Sequence, residues 1–376
     1  MKILHIIQQV TDGGACRAMF AAARHSARTG NFKHEVISLR PCRSEGLELA
    51  AGADVTVRAG LAPAEIAAEI VGADIVQVHY WNNPNICEFI RRPMPPARVI
   101  TWYHVGGVNF PHVITDSLVA YPDVNVASSP YSLECVPAFA RLRESGKAGC
   151  VALAYDCADF DRLAGLVRKD HEGFNVGYIG TVDFAKMHPG FIRMSCAVRV
   201  PEAKFVVCGG RSPELEAQAD LLGAGNRFEW RGYVKDIRQV IETLDVYGYP
   251  LREDTFASGE LNLQEVMYAG IPPVVFPYGG IPSLVKHMET GIVVKTEDEY
   301  RDAIEYLYSR PDERRRIGKA AAEYAAKTFG AVPAAAALNA IYERLVTCPR
   351  REHCWAGGGT GAEILIDSLG EHGGVF

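Results

Sequence analysis

Short apolar runs separated by Ala-rich helical stretches recur along the chain, and their rhythm is the first indication of the fold. KILHIIQQV (2–10), HEVISL (34–39), DIVQVHY (74–80), RVITWYH (98–104) and VNVAS (124–128) each read as a strand. They are continuous rather than alternating, the pattern of strands covered on both faces in a parallel sheet. GACRAMFAAARHSARTG (14–30) reads as a helix that stops at Gly30. The pattern restarts with FNVGYIG (174–180), AKFVVCGG (203–210), FEWRGYV (228–234), VYGYP (246–250), PPVVF (272–276) and GIVVK (291–295). Both halves are therefore α/β, and two Rossmann-like domains in tandem, joined within 146–158, is the economical reading. Two strong helices follow, 312–330 and 333–347, and then a Gly-rich tail with little core-forming material and one amphipathic turn near 364–369.

Composition narrows the class. The 376 residues suit two domains, and 48% hydrophobic residues supply two cores. A formal net charge of -6 argues against a general nucleic-acid binder. No apolar stretch reaches membrane-spanning length, and the N-terminus lacks the long apolar core and cleavage site of a signal peptide. The ten cysteines form no CxxC pair, and some, such as Cys150 and Cys208, fall in apparent strands. They read as buried free thiols in a reducing compartment, so a cytoplasmic location is expected.

Candidate chemistry is sought beyond the carboxyl ends of the strands, where open α/β sheets bind ligands. In TDGGA (11–15), Gly13 and Gly14 let backbone approach a ligand at a helix N-terminus, or simply make a tight turn. The loop is not GxGxxG, which argues against an NAD-dependent oxidoreductase. GTVDFAKMHPG (180–190) holds Thr181 and Lys186; a Lys there suits a phosphate as a point charge, or is a solvated surface residue. In FASGELNLQEVMYAGIPPVVF (256–276), Ser258, Gly259, Glu260 and Leu261 open a helix whose first amides suit an anion. Glu265 lies one turn in, on the same face as Leu261, and a carboxylate aimed at a core must meet a partner that offsets its desolvation. A vicinal diol such as a ribose is one candidate, a structural partner the other. QVHYWNNP and TWYHVGG end strands with His79, Tyr80, Trp81 and His104, a polar substrate pocket or separately structural histidines.

Taken together these segments resemble the retaining nucleotide-sugar glycosyltransferases of the GT-B fold, in particular the large family-4 group (glycosyl transferases group 1). The resemblance spans 1–347. It rests on GGA after the first strand, on VHYW and WYHVGG, and on AYDCADF, which is similar to the family's NGVDxxxF. VGYIGTVDFAKMHPG resembles VGRLxxxKG, and LQEVMYAGIPPVVFPYGGIPSLVKHMETGIVV resembles LLEAMAxGxPVVxxxxGGxxExVxxGxxGxLV.

The resemblance implies an α/β GT-B architecture, two Rossmann-like domains facing across a cleft. Residues 1–155 would take the acceptor and 156–332 the nucleotide-sugar donor. Residues 333–376 would cross back to the first domain and end in the tail. It implies that Glu265 binds the donor ribose, and that Lys186 binds the diphosphate together with amides near Gly259–Leu261. Gly13–Gly14 would lie against diphosphate and acceptor, and His79, Tyr80 and Trp81 beside the acceptor. His104 would hold a hydroxyl of the transferred sugar rather than act as a base. The chain departs from the family in three places. Ala257 stands where a Glu is usual, with Glu260 or Glu253 nearby. Thr181 stands where an Arg is usual, with Arg211 or Arg252 as substitutes. Ser283 replaces an acidic residue. The implied activity is a metal-independent, cofactor-free, retaining transfer from a nucleoside-diphosphate sugar to a soluble saccharide or small-molecule hydroxyl. A non-catalytic nucleotide-sugar binder and a GT-B sugar-nucleotide epimerase are the alternatives.

Overall fold

In the computed structural model, which describes residues 1–355 and 359–369, the apolar runs form two all-parallel sheets. They belong to two compact units, one made of Met1–Ala158 with Gly330–Phe376, the other of Asp159–Phe329. The first sheet contains β1 (Lys2–Ile7), β2 (Lys33–Ser38), β3 (Thr56–Ala59), β4 (Ile75–Tyr80), β5 (Val99–Tyr103), β6 (Val124–Ala127) and β7 (Val151–Leu153), in the order β3-β2-β1-β4-β5-β6-β7. The second contains β8 (Phe174–Gly180), β9 (Ala203–Gly209), β10 (Phe228–Gly232), β11 (Val246–Tyr249), β12 (Pro273–Val275) and β13 (Ile292–Val293), in the order β10-β9-β8-β11-β12-β13. Each order reverses direction once, between β1 and β4 and between β8 and β11. These switch points put the loops after β1 and β8 where ligands of doubly wound sheets bind. Each unit is thus a Rossmann-like α/β fold.

Two strands escaped the sequence reading. β3 is a short edge strand, TVRA, with no fully buried residue, so no apolar run announces it. β7 is three residues, VAL, inside the stretch that reads as a junction. Cys150 precedes β7 rather than lying in a strand, and the buried-thiol expectation holds for Cys16, Cys87, Cys157 and Cys208, whereas Cys135, Cys348 and Cys354 are exposed.

After the second unit the chain returns to the first. The helix Ala331–Leu345 packs on the helix Gly14–Thr29, where Asn339 meets the Ser26 hydroxyl at 2.5 Å. Its Tyr342 hydroxyl donates to Gln77 Oε1 on β4 at 2.6 Å. The tail carries more core than its composition suggests. A helix over Gly361–Asp367 buries Ile364 against the helix Pro84–Arg91, and Gly361 sits close to that helix, where a Cβ would come within 3.2 Å of Glu88 backbone. Residues 356–358 and 370–376 of the tail lie outside the described residues.

In the second unit the helix Leu261–Tyr268 is set by the helix Pro311–Thr328, which approaches through Gly318. A Cβ at Gly318 would stand 2.1 Å from the Gly270 carbonyl oxygen. Alanine raises helix propensity by about 1 kcal/mol, but backbone-on-backbone overlap outweighs that. Gly318→Ala is therefore expected to destabilise the second unit by about 1–3 kcal/mol in urea unfolding. Gly52→Ala, in a helix where nothing lies within 4 Å, is the control and should be neutral to stabilising by up to about 1 kcal/mol.

Candidate functional site

Two clusters of ionisable side chains stand out, one at the carboxyl ends of strands in the second unit and one that crosses the sheet of the first unit to the end of β5. In the second unit the loop after β8 is zipped onto the end of β11. His188 N donates to the Pro250 carbonyl at 2.9 Å, and Arg252 N to the Lys186 carbonyl at 3.0 Å. This brings the Lys186 ammonium to 2.9 Å from Glu260 Oε2, with both side chains largely buried. The Tyr249 hydroxyl, from the end of β11, donates to the same oxygen at 2.6 Å. Burial, and then the Glu260 charge, push the Tyr249 hydroxyl well above its usual range, so it remains a donor.

Glu260 sits immediately before the helix Leu261–Tyr268 in a left-handed conformation, φ 35°. A residue with a Cβ costs about 1–3 kcal/mol there, and such strain gathers at functional sites. Its side chain does not cap the helix. It points to Lys186, and the first-turn amides keep the N-terminal partial charge of the helix.

Glu265 meets a partner that the sequence reading did not name. Arg162 Nη1 lies 2.9 Å from Glu265 Oε1, with Glu265 buried and Arg162 one-fifth exposed. Arg162 comes from the short turn Phe160–Leu163, which is pinned to the helix because Phe160 stacks on Tyr268 at 4.1 Å between ring centres and 6° between planes. The sequence signal for it was a single Arg two residues after the AYDCADF segment, with no pattern of its own.

The remaining donor-side candidates divide. Ser258 and Gly259 are buried in the loop before the helix, and Gly280 closes on it, its amide donating to the Ala257 carbonyl at 3.0 Å. Leu261 is partly exposed as the first helical residue. Thr181 is exposed, and its carbonyl accepts from Tyr178 at 2.7 Å. Arg252 is beside the Lys186 loop, donating to the Phe184 carbonyl at 2.9 Å and pairing with Asp254. Arg211 is turned away into an exposed pair with Glu216, so of the two substitutes for the missing Arg only Arg252 adjoins Lys186. Glu253 is exposed, whereas Glu260 is the acidic residue at Lys186.

The first unit holds a different arrangement. Gly13 and Gly14 are exposed at the start of the helix Gly14–Thr29, and a Cβ at Gly14 would meet nothing within 4 Å. In the same unit an unbroken row of imidazoles crosses four adjacent strands. His34 Nδ1 is 2.8 Å from His5 Nε2, His5 Nδ1 is 2.9 Å from His79 Nε2, and His79 Nδ1 is 2.8 Å from His104 Nε2. Asp156 Oδ1 ends the row 2.6 Å from His104 Nδ1, and Ser26 Oγ ends it 2.9 Å from His34 Nε2.

The register explains the row. His34 pairs with Ile3, two residues before His5; His5 pairs with Gln77, two before His79; His79 pairs with Trp102, two before His104. Each step of two keeps the side chains on one face. Ring centres are 5.1 Å, 5.2 Å and 5.1 Å apart, close to the spacing of neighbouring strands, about 4.8 Å.

This row corrects the expected roles of the first-unit residues. His79 is fully buried with both ring nitrogens bonded to other imidazoles, so its ring does not meet an acceptor. Tyr80 is buried in the core. Both ring nitrogens of His104 are likewise engaged and its side chain is 3% exposed, so its ring offers no uncommitted nitrogen to a sugar hydroxyl. Trp81, partly buried and edge-on to His104 at 6.3 Å, is the member of the trio that reaches the surface. His5, His34 and Asp156 were not singled out from sequence. The signal was present in KILHII and KHEVIS, where a histidine interrupts each apolar run.

Comparison with known proteins follows the same division of the chain. The family described as Glycosyl transferases group 1 matches residues 165–324. A D-inositol 3-phosphate glycosyltransferase of Corynebacterium diphtheriae is 29% identical over 151 residues, 38% of this chain and 34% of the relative. The chain thus matches about a third of that curated relative's length. Solved structures share the fold over nearly the whole chain. Anabaena HepE in complex with UDP matches at TM-score 0.71 and 19% identity, over 93% of this chain and 100% of that one. A Rickettsia africae glycosyltransferase matches at 0.73 and 15%, over 92% and 98%. The sucrose-phosphate synthase of Thermosynechococcus elongatus matches at 0.68 and 14%, over 92% and 100%. At these identities the likeness concerns architecture, the two Rossmann-like domains of GT-B proteins.

The imidazole row makes stability depend on pH. Burial holds His5 and His79 well below the ordinary histidine range and His34 down to about 4, with neighbouring imidazoles adding to the effect on His5 and His79. In the unfolded chain these groups titrate near the ordinary value of about 6.5. Below that pH the unfolded state binds protons that the folded state refuses, so stability rises with pH. The contribution is complete above about pH 7 and is lost as pH falls from about 6.5 towards 4. Urea unfolding of the first unit should weaken over that window by about 1.4 kcal/mol per pH unit for each imidazole that stays neutral. A flat profile between pH 7 and 5 would contradict the buried, neutral row.

Proposed function

We propose that this chain, whose residues 165–324 match the glycosyl transferases group 1, is a nucleotide-sugar-dependent transferase that acts with retention and needs neither metal nor cofactor. The observation that carries the reading is the buried Lys186–Glu260–Tyr249 cluster at the N-terminus of the helix Leu261–Tyr268. It places a cation, a set of helix amides and a strained carboxylate within one loop system at the switch point of a doubly wound sheet.

In this reading the diphosphate of the donor takes over the Lys186 ammonium and the helix amides. Glu260, released from Lys186, accepts from a hydroxyl of the sugar, the contact that the Ala257 position does not make. Glu265 accepts from the ribose hydroxyls, and Arg162 holds that carboxylate charged and oriented when the nucleotide is absent. As the bond between the anomeric carbon and the phosphate oxygen breaks, negative charge grows on the departing diphosphate. Lys186 and the amides are already aimed at it and need little reorganisation. The acceptor hydroxyl forms the new bond on the same face, and its proton goes to the departing phosphate oxygen. A soluble saccharide or small-molecule hydroxyl, bound on the first unit near Gly13, Gly14 and Trp81, is the proposed acceptor.

Three measurements test the donor site. A thermal-shift screen of UDP, GDP, dTDP and CDP sugars should single out one nucleotide, because a ligand that binds only the fold raises Tm by mass action. Against that nucleotide, Glu265→Ala should weaken binding by about 1.5–3 kcal/mol per charged hydrogen bond lost. Lys186→Ala should lower kcat/KM about 100-fold or more, while Lys186→Arg recovers only part, since a planar fork and a point charge differ in geometry. Unchanged nucleotide affinity in Glu265→Ala would sink the ribose assignment. Nucleotide binding without turnover on any acceptor would favour a binding protein instead, the reading that the pre-formed Lys186–Glu260 pair also suits.

A further inference from the structure

The imidazole row has a direction, and its ends decide which way it runs. A neutral imidazole carries one N–H and one acceptor nitrogen. In a row joined nitrogen to nitrogen, choosing one ring's tautomer therefore fixes that of the next. Two senses are open. In one, every Nδ1–H donates towards Asp156: His104 to the carboxylate, His79 to His104, His5 to His79 and His34 to His5, with the Ser26 hydroxyl donating to His34 Nε2. In the other, every Nε2–H donates towards Ser26, and His104 Nδ1 must then accept from Asp156.

The two ends are unequal. A serine hydroxyl donates or accepts with similar ease, and Asn339 beside it can turn its amide to suit either case. A carboxylate only accepts. Asp156 therefore selects the first sense for a row of neutral rings; the reverse sense along His79, His5 and His34 needs an added proton, either on Asp156 so that it can donate or on His104 so that both its nitrogens donate. Protein groups packed on the same face of the sheet surround the row, whose rings at His5, His34 and His79 are buried. The helix Gly14–Thr29 supplies Ser26, the helix Ala331–Leu345 supplies Asn339 and Tyr342, and Trp102 lies 4.8 Å from the His104 ring, its indole N–H held by the Ala154 carbonyl at 3.1 Å.

We propose that Asp156 is a positioning residue that fixes His104, His79, His5 and His34 as Nδ1–H tautomers in one directional row, and so holds the strand end at His104 in a single geometry. The row is a long-range device, because a change at Asp156 is read at His34 on the far side of β1. Its use in turnover rests on the transferase reading, in which the strand ends of the first unit receive the acceptor; the tautomers do not rest on it.

The test reads tautomers directly, by long-range proton–nitrogen correlation NMR of the full chain labelled with 15N-histidine. At neutral pH the unmodified protein should show a protonated Nδ1 and an unprotonated Nε2 at all four residues. Any one of them protonated at Nε2 instead overturns the proposal, and this arm needs no variant to fold. Asp156→Asn, whose amide can donate as well as accept, removes the bias and should let the Nε2–H form appear at least at His104 and His79. A carboxylate-to-amide change of this kind is known to reverse a histidine tautomer with the geometry intact. Ser26→Ala, at the permissive end, should leave all four unchanged. Unaltered tautomers in Asp156→Asn, or reversed ones in Ser26→Ala, overturn the directional role of Asp156.

Kinetics supply the second arm. Asp156→Asn should lower kcat about tenfold or more with donor KM within about twofold. Reversed tautomers with unchanged kcat would overturn the positioning role. Loss of turnover in the unmodified protein with every donor and acceptor would count against the transferase reading alone, because the NMR arm needs no turnover.

Discussion

A charge or polar ring taken out of water must be met by another group, and the chemistry of both units is organised by that requirement. An isolated buried ion costs several kcal/mol, and breaking one member from a buried pair costs about 3–5 kcal/mol. The second unit meets the requirement in pairs: Lys186 with Glu260 and Tyr249, Glu265 with Arg162. The first meets it in series, each imidazole satisfying the next until a carboxylate and a hydroxyl close the ends. Pairs can be traded for a ligand's charges one at a time. A series yields as a whole, so the two units are suited to different tasks, the first to fixed geometry and the second to exchange.

The strained backbone at Glu260 belongs to the same logic. Without a left-handed conformation the carboxylate could not leave the helix axis to reach Lys186, and without Lys186 the conformation would have nothing to offset its strain. Ala257 and Gly280 complete the loop. Gly280 allows close approach, since a Cβ there would fall 2.1 Å from the Ser258 carbonyl oxygen. Strained or closely approached backbone thus recurs within and just before the 263–294 stretch that carries the family resemblance, at Glu260, Gly270 and Gly280.

This is why the sequence was informative in some places and silent in others. Strands buried on both faces, such as VITWY in β5 and VVCG in β9, announce themselves by continuous apolar runs. The half-exposed TVRA and the three-residue VAL have no such run, and their pairing is decided by neighbours distant in sequence. Lys186, Glu260 and Glu265 were legible because they lie in one patterned loop or helix. Arg162 and Asp156 were not, because their meaning comes from partners 103 and 52 residues away. His79 and His104 were noticed as strand-end residues, but their commitment to each other depends on a register that no local pattern encodes.

The return of the chain to the first unit bears on how this protein is made. The helix Ala331–Leu345 supplies Asn339 and Tyr342 to a sheet whose seven strands lie between Lys2 and Leu153. During synthesis that sheet emerges early and waits for its cover while the whole of Asp159–Phe329 is translated. The second unit is continuous in sequence and can complete itself first, whereas the first must keep an apolar, histidine-bearing face open until the last part of the chain arrives. Contacts separated by some 300 residues form slowly and expose sticky surface meanwhile. Truncation before residue 331 would thus leave intact every strand of the first sheet and still deny it a finished core, so the first unit depends for its completion on residues translated after Phe329.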